Sequence, residues 1–349
     1  MYIYFVYFTI IVISEFFVRN DVLLKSKKKL IIYCSFITLL LILLSGLRNV
    51  RVGTDTTQYL DIWSMLTAGD FKSIDSSAEL GFIYLQIFLK QYVNYNLFLL
   101  IVAALSLIPI GFIIGKYSKI YFYSFLLFYS SILFHTLEFA ALRQALALSL
   151  IVLSFHYIMK RNLKMYVPLL LIAFFFHKSS IIFFPCYWLY GIKLNKNTLY
   201  FWIVLLIFSG VLSKTIFTLL NSMWRTDYST TEMNAGGERF FTLTVVFTFI
   251  GLLNWKKIQN YPNIKVPFLI YMISSLLWPL LNTNPALYRL QYYFDFFFCL
   301  YVPNFVSILP KKSLLRILLI IMSIFAALYI ILVMRTTDTY YPYNFFWEQ

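Results

Sequence analysis

Charge is what this sequence has least of. Only 12% of its 349 residues are charged, where a soluble domain carries about 25%. That shortage excludes an ordinary soluble enzyme. The apolar runs are continuous, which excludes a transmembrane barrel, whose strands alternate in polarity. Cysteine is nearly absent as well: Cys34, Cys186 and Cys299 each sit inside an apolar run. They show neither a disulfide framework nor a metal-ligand spacing, so core packing is their expected role. Nothing matches HExxH, a Walker loop or GxSxG, and no paired-aspartate DxD motif is present to hold a metal–nucleotide sugar. No internal repeat of the secondary-transporter kind is visible. The first apolar run lacks a basic leader and a small-residue cleavage site, so it reads as a span and not as a cleavable signal.

What is present is apolar surface: 61% hydrophobic residues, 21% aromatic, mean hydropathy +0.78. Runs long enough to cross about 30 Å of hydrocarbon recur from end to end. They predict an all-α polytopic membrane protein, one transmembrane domain over residues 1–349. Spans are expected near 2–18, 30–47, 96–115, 119–135, 138–159, 198–219, 239–254, 264–281, 286–308 and 313–334. Residues 163–190 form an apolar stretch broken by "HKSS" at 177–180, read as two short helices or a re-entrant hairpin. The total is about eleven or twelve crossings.

The net charge of +15 invites a nucleic-acid reading, but the basic residues cluster between apolar runs, where they set membrane orientation. Eighteen of the 29 fall in one set of alternate loops, from Lys25–Lys29 through Lys116, Lys160, Lys193 and Lys256 to Lys311. Those loops are expected to be cytoplasmic, too short for a nucleotide-binding domain, with both termini outward. Fifteen of nineteen lysines lie on that side, yet seven of ten arginines lie on the other. Orientation needs positive charge of either type; the planar guanidinium fork additionally matches phosphate and carboxylate oxygens in pairs. The outer side therefore reads as built to bind an anion, against the plainer alternative of local pairing with Asp55, Asp227 and Glu238.

Four stretches carry the chemistry. "GLRNVRVGTDTTQY" (46–59) puts Arg48, Arg51 and Asp55 directly after an apolar run. Arg143, in "ALRQALA", lies about five residues inside a span, or roughly 7 Å deep at 1.5 Å per residue. Glu138 is about 140° away around the helix, so it is no ordinary neighbour. Arg143 either snorkels to the interface or, with Gln144, faces the bundle interior and holds a ligand or a distant carboxylate. Arg289 stands near Tyr292 and Tyr293 on one helical face. His177 occupies the break in "FFFHKSS", where non-helical backbone at membrane depth must line a cavity or be buried in protein, and a histidine there transfers protons near neutral pH. Two outer loops are long. Residues 48–95 carry the stripe Tyr59, Ile62, Trp63 and Leu66, which fits a helix lying in the interface, and a second helix led by Glu79 and Gly81. Residues 220–238 are polar, as in a flexible loop or lid.

With these residues located, the sequence resembles the EpsG/Wzy-type family of bacterial exopolysaccharide and O-antigen polymerases. The resemblance rests on "GLRNVRVGTDTTQY", "ELGF" (79–82), "LRQALA" (142–147), "FHKSSIIFFP" (176–185) and "YRLQYYF" (288–294), in order across most of the chain. It carries over Arg48, Gly53, Asp55, Tyr59, Glu79, Gly81, Arg143, Gln144, His177 and Arg289. It implies a GT-C-like helical bundle in the bacterial inner membrane that works at the outer face without metal or other cofactor. The implied reaction moves a growing glycan from undecaprenyl diphosphate to an incoming lipid-linked repeat unit, with a chain-length regulator as a further partner beside membrane lipid. Base candidates are Asp55 and His177, then Glu79 and Glu138. Candidates for diphosphate or glycan binding are Arg48, Arg51, Arg143, Gln144, Arg289, Tyr59, Tyr293 and Arg239. The rival readings are a flippase for lipid-linked oligosaccharide, a polysaccharide acyltransferase and an O-antigen ligase.

Overall fold

The computed structural model describes residues 2–19, 27–66, 79–224, 236–281, 289–334 and 342–348. The polar segment 225–235, together with Tyr288, Arg225 and Arg335, lies outside them. The described chain is helical, with one isolated β-bridge between Arg48 and Phe345. In order the helices are α1 (Tyr2–Arg19), α2 (Lys27–Gly46), α3 (Thr56–Met65), α4 (Leu80–Lys90), α5 (Tyr95–Tyr117), α6 (Tyr121–Tyr129), α7 (Ile132–Phe139), α8 (Leu142–Met159) and α9 (Leu163–Phe176). A 3-10 helix (Lys178–Gly191) follows, then α10 (Lys196–Trp224), α11 (Gly236–Leu253), α12 (Trp255–Ile258) and α13 (Pro262–Leu281). After a 3-10 turn at Arg289–Gln291 come α14 (Tyr292–Asp295), α15 (Phe298–Ile308) and α16 (Leu314–Met334).

Three of these helices, α2, α5 and α8, are long and apolar enough to cross a membrane by length and composition. Six further stretches are apolar but shorter, within α1, α4, α9, α10, α11 and α16. Two expected spans are broken. The run 119–135 divides into α6 and α7 because Ser131 turns its side chain to the Phe134 N–H at 3.4 Å, capping a new helix start. The run 286–308 is interrupted between Asp295 and Phe298. The stretch 163–190 is a hairpin of α9 and the 3-10 helix, tied across by the Tyr166 hydroxyl donating to the Phe183 carbonyl at 2.6 Å. A 3-10 helix rises about 2.0 Å per residue, so its fourteen residues reach farther than the same length of α-helix.

Helix α2 packs on α5, α5 on α8, α8 on α9, and α13 on α10 and α15. The core between them is aromatic: Tyr129, Tyr166, Tyr293, Tyr301, Phe125, Phe134 and Phe183 are among the largest fully buried side chains. Phe183 stacks on Phe297 with ring centres 5.6 Å apart, joining the hairpin to the segment before α15.

The residues of the lysine-rich loops gather at one end of this bundle. Lys116 Nζ lies 3.3 Å from His156 Nε2, Arg161 lies over the Tyr190 ring, and Lys265 donates to the Tyr190 and Ile192 carbonyls. The opposite end collects the C-terminus of α2, the starts of α5 and α8, the tip of the α9 hairpin, and helices α3 and α4. Of the α3 stripe, Tyr59, Trp63 and Leu66 are buried and only Ile62 is exposed. The rings pack on Phe82, Tyr95 and Phe98, so this face is turned to protein more than to lipid.

Candidate functional site

Two glycines allow the loops at this second end to close. Gly53 has φ +104, and a Cβ there would stand 1.8 Å from the Phe139 carbonyl oxygen, so only glycine fits without moving backbone. The Thr56 hydroxyl donates to the same carbonyl at 3.0 Å, which seats Asp55 at the N-terminus of α3. Gly81 does the same for α4: a Cβ would meet the Phe175 carbonyl at 2.7 Å. This close approach carries Glu79 to the end of α9, where His177 leaves the helix in extended conformation, φ −157 and ψ 113.

Glu79 is the centre of the arrangement. One carboxylate oxygen makes a short hydrogen bond with His177 Nδ1 and accepts from the Lys178 backbone N–H at 3.2 Å. The other lies 3.3 Å from Arg143 Nη1. Glu79 is 8% exposed, His177 26% and Arg143 41%, so the carboxylate forms the floor and the two nitrogen groups face outward. Burial pushes the Glu79 carboxyl up, but the hydrogen bond and charge of His177, then Arg143 and the Lys178 N–H, outweigh it and hold it below its usual value. Arg143 is thus paired with a carboxylate 64 residues earlier in the chain. Its guanidinium also lies 5.8 Å from the centre of the Tyr59 ring and feels the charge of Asp55.

A second row lies beside the first. Gln144 donates to the Arg289 carbonyl at 2.7 Å, and the Tyr293 hydroxyl sits 3.0 Å from Ser179 Oγ. Five separate stretches therefore meet at one place: residues 55–59, 79, 143–144, 177–179 and 289–293. With Nδ1 donating to Glu79, His177 keeps Nε2 as its basic atom. A base, a fixed cation and hydrogen-bonding groups in one partly open recess suit proton transfer beside a developing anion.

The other candidates lie elsewhere. Arg48 is 1% exposed, its guanidinium 5.4 Å from the centre of the Phe139 ring. Its Nη1 donates to Ser45, while Nε and Nη2 have no hydrogen-bond partner. Glu138, also buried, accepts from Ser106 at 2.6 Å and attracts Arg48. The C-terminal segment covers this pair: Asn49 donates to the Asn344 carbonyl, Phe346 to the Leu47 carbonyl and the Tyr343 hydroxyl to the Leu44 carbonyl. Arg51 is exposed. So is Arg289, which reaches the site through its carbonyl. Arg239 stands in α11 with its side chain outside the described residues. Sequence reasoning did not single out Ser179 or Asp295. Asp295 accepts from Ser274 and from Gln291 at 3.3 Å; its signal was available, an acid inside the apolar run "YYFDFFF". Among the described residues no group of three His, Cys, Asp or Glu is placed to hold a metal ion.

A family model, that of the EpsG family, matches residues 31–345. The chain belongs to the EpsG family. The match runs from α2 to the β-bridge partner of Arg48, and so encloses both rows of the site. Membership of this family of Wzy/EpsG-type polymerases gives the chain a polysaccharide-polymerase type of role and a glycosyltransferase-like activity in a membrane-embedded protein. No curated protein and no solved structure matches it.

Proposed function

We propose that this EpsG-family chain polymerises a polysaccharide from lipid-linked repeat units at the outer face of the bacterial inner membrane, in a bundle of about eleven or twelve crossings with both termini outward. The donor is a glycan on undecaprenyl diphosphate; the acceptor is the sugar end of an incoming lipid-linked unit. The acceptor hydroxyl oxygen forms the new bond to the donor's anomeric carbon. The bond from that carbon to the diphosphate breaks, its electron pair leaves with the diphosphate, and the hydroxyl proton passes to His177 Nε2. Glu79 holds the imidazole by Nδ1 and stabilises its protonated form, and Arg143 balances the charge of the leaving diphosphate. Arg289 is a second cation for that group, and Tyr59, Gln144 and Tyr293 line the glycan side. Arg48, sealed beneath the C-terminal segment, is left with a supporting role. The observation that carries this reading is the single carboxylate of Glu79 joined at once to His177 and Arg143.

The test is deletion of the gene followed by separation of lipid-linked glycans by length. Accumulation of single repeat units, reversed by the wild-type gene but not by His177→Ala, is the expected result. Unchanged polymer length with lost translocation or lost acylation would move the assignment to the flippase or the acyltransferase.

A further inference from the structure

A large cavity among the described residues lies at the opposite end from Glu79. It is a groove of about 760 Å³ between α2 and α5, within the size range of roughly 300–1,000 Å³ usual for small-molecule sites. Small residues line it: the buried Cys34, Thr38 and Gly111 make its floor, with Gly115 beside them and the exposed Ser35 at its lip, and Ile42 and Ile108 lie at its far end. Along α2 it runs from Lys27 to Ile42, roughly 22 Å at 1.5 Å per residue, which is more than half of a hydrocarbon core about 30 Å thick. Lys27 and Lys116 stand together at its mouth, and no carboxylate lines it. Lys160 and Lys27 both repel Lys116 electrostatically. A long apolar trough that ends in mutually repelling ammonium groups matches one kind of molecule, an amphiphile with a negative head and an alkyl tail.

We propose that this groove is a binding site for an anionic phospholipid, with the phosphate between Lys27 and Lys116 and one acyl chain laid along Cys34, Thr38 and Ile42. The phosphate relieves the repulsion among the lysines, and the tail covers apolar surface between the two longest spans. The lysine-rich end sets the leaflet, the one facing the basic loops, so this lipid is separate from a donor whose diphosphate must reach Arg143.

The test uses the full-length protein purified into nanodiscs of equal phosphatidylglycerol and phosphatidylethanolamine with matched acyl chains, extracted with mild detergent, and weighed by native mass spectrometry. Retention of phosphatidylglycerol over phosphatidylethanolamine is expected. At about 1 kcal/mol per lysine near a charged headgroup, K27Q/K116Q should lower that preference on the order of ten-fold. Ser35→Trp, which fills the lip of the groove and keeps both charges, should lose the bound lipid as well. Equal retention of the two lipids by the wild type, or undiminished preference in K27Q/K116Q, would overturn the proposal. So would displacement of phosphatidylglycerol by stoichiometric undecaprenyl phosphate, which would make the groove a path for the carrier lipid. None of these outcomes depends on polymerase activity, so the inference stands or falls apart from the proposed function.

Discussion

The molecule sets two arginines against glutamates, Arg143 in an ion pair with Glu79 and Arg48 attracted to Glu138 over a longer distance, and puts them to opposite uses. Arg143 with Glu79 lies in an open recess, shares its carboxylate with His177, and leaves a guanidinium 41% exposed. Arg48 with Glu138 is sealed, at 1% and 2% exposure, with two guanidinium nitrogens unpartnered. Each site sets a guanidinium near a carboxyl group; the covering differs. Backbone and ring contacts from residues 343–346 close over Arg48, whereas nothing among the described residues closes over Arg143. An exposed fork can be lent to a ligand, and a buried one can only hold the fold.

The largest break in this comparison comes from Glu79. Glu79→Ala should leave the protein in the membrane and lower polymer formation about 10²- to 10⁴-fold, the range expected for losing an oriented acid–base group, measured as repeat units added per folded protein. Glu79→Gln separates charge from shape and adds a stability signature. The folded carboxyl titrates below its usual 4.5, so the unfolded chain binds the proton more readily. Glu79 therefore stabilises the fold fully above pH 4.5 and loses that contribution as the pH falls through its lowered value. The Gln variant should show a flatter loss of thermal stability in acid. An unchanged acid slope would mean that the carboxylate is not held as the geometry has it.

Arg48→Met should act in the opposite way. Deleting the buried guanidinium removes its charged hydrogen bond to Ser45 and its attraction for Glu138, a cost of about 1.5–3 kcal/mol, and Glu138→Gln, which keeps an acceptor for Ser106, should cost less. Activity should follow the folded fraction in both. The check is a melting curve beside turnover per folded molecule. A fully stable Arg48→Met that cannot polymerise would put Arg48 back among the ligand-binding residues.

Arg143→Lys is milder. Lysine keeps the charge near Glu79 but loses the paired donors, so polymer length should fall roughly ten- to a hundred-fold in yield with expression unchanged. Full activity would remove Arg143 from the site.

How these two regions divide was only half legible in the sequence. The break at His177 was visible because "HKSS" interrupts an apolar run, and Arg143 stood out as a charge inside a span. Its partner did not: Glu79 is 64 residues away, and only the approach allowed by Gly81 joins α4 to α9 and so brings that carboxylate to Arg143 and His177. Arg48 and Arg143 fell into one group because topology assigns a side to a loop and says nothing about depth. Arg48 is covered by residues 343–346 near the far end of the chain, a long-range contact with no local pattern. Likewise the run 119–135 read as one span, since hydropathy averages over the two serines at which α6 ends and α7 begins.

The smallest effects give the sharpest comparison, because each region holds a buried tyrosine whose hydroxyl makes a hydrogen bond. Tyr293 meets Ser179 Oγ at 3.0 Å in the open recess; Tyr343 donates to the Leu44 carbonyl at 2.7 Å beneath the C-terminal cover. Changing either to Phe keeps the ring and removes one hydrogen bond, a cost of about 0.5–1.5 kcal/mol. In Tyr343→Phe that cost should appear as a lowered melting temperature, with turnover per folded molecule unchanged. In Tyr293→Phe it should appear partly as a two- to ten-fold loss of turnover, because the Ser179 hydroxyl loses the group that aligns it beside His177. Equal losses of turnover in the two variants would mean that the sealed pair and the open one move as a single unit, and that the covering of Arg48 belongs to the catalytic machinery.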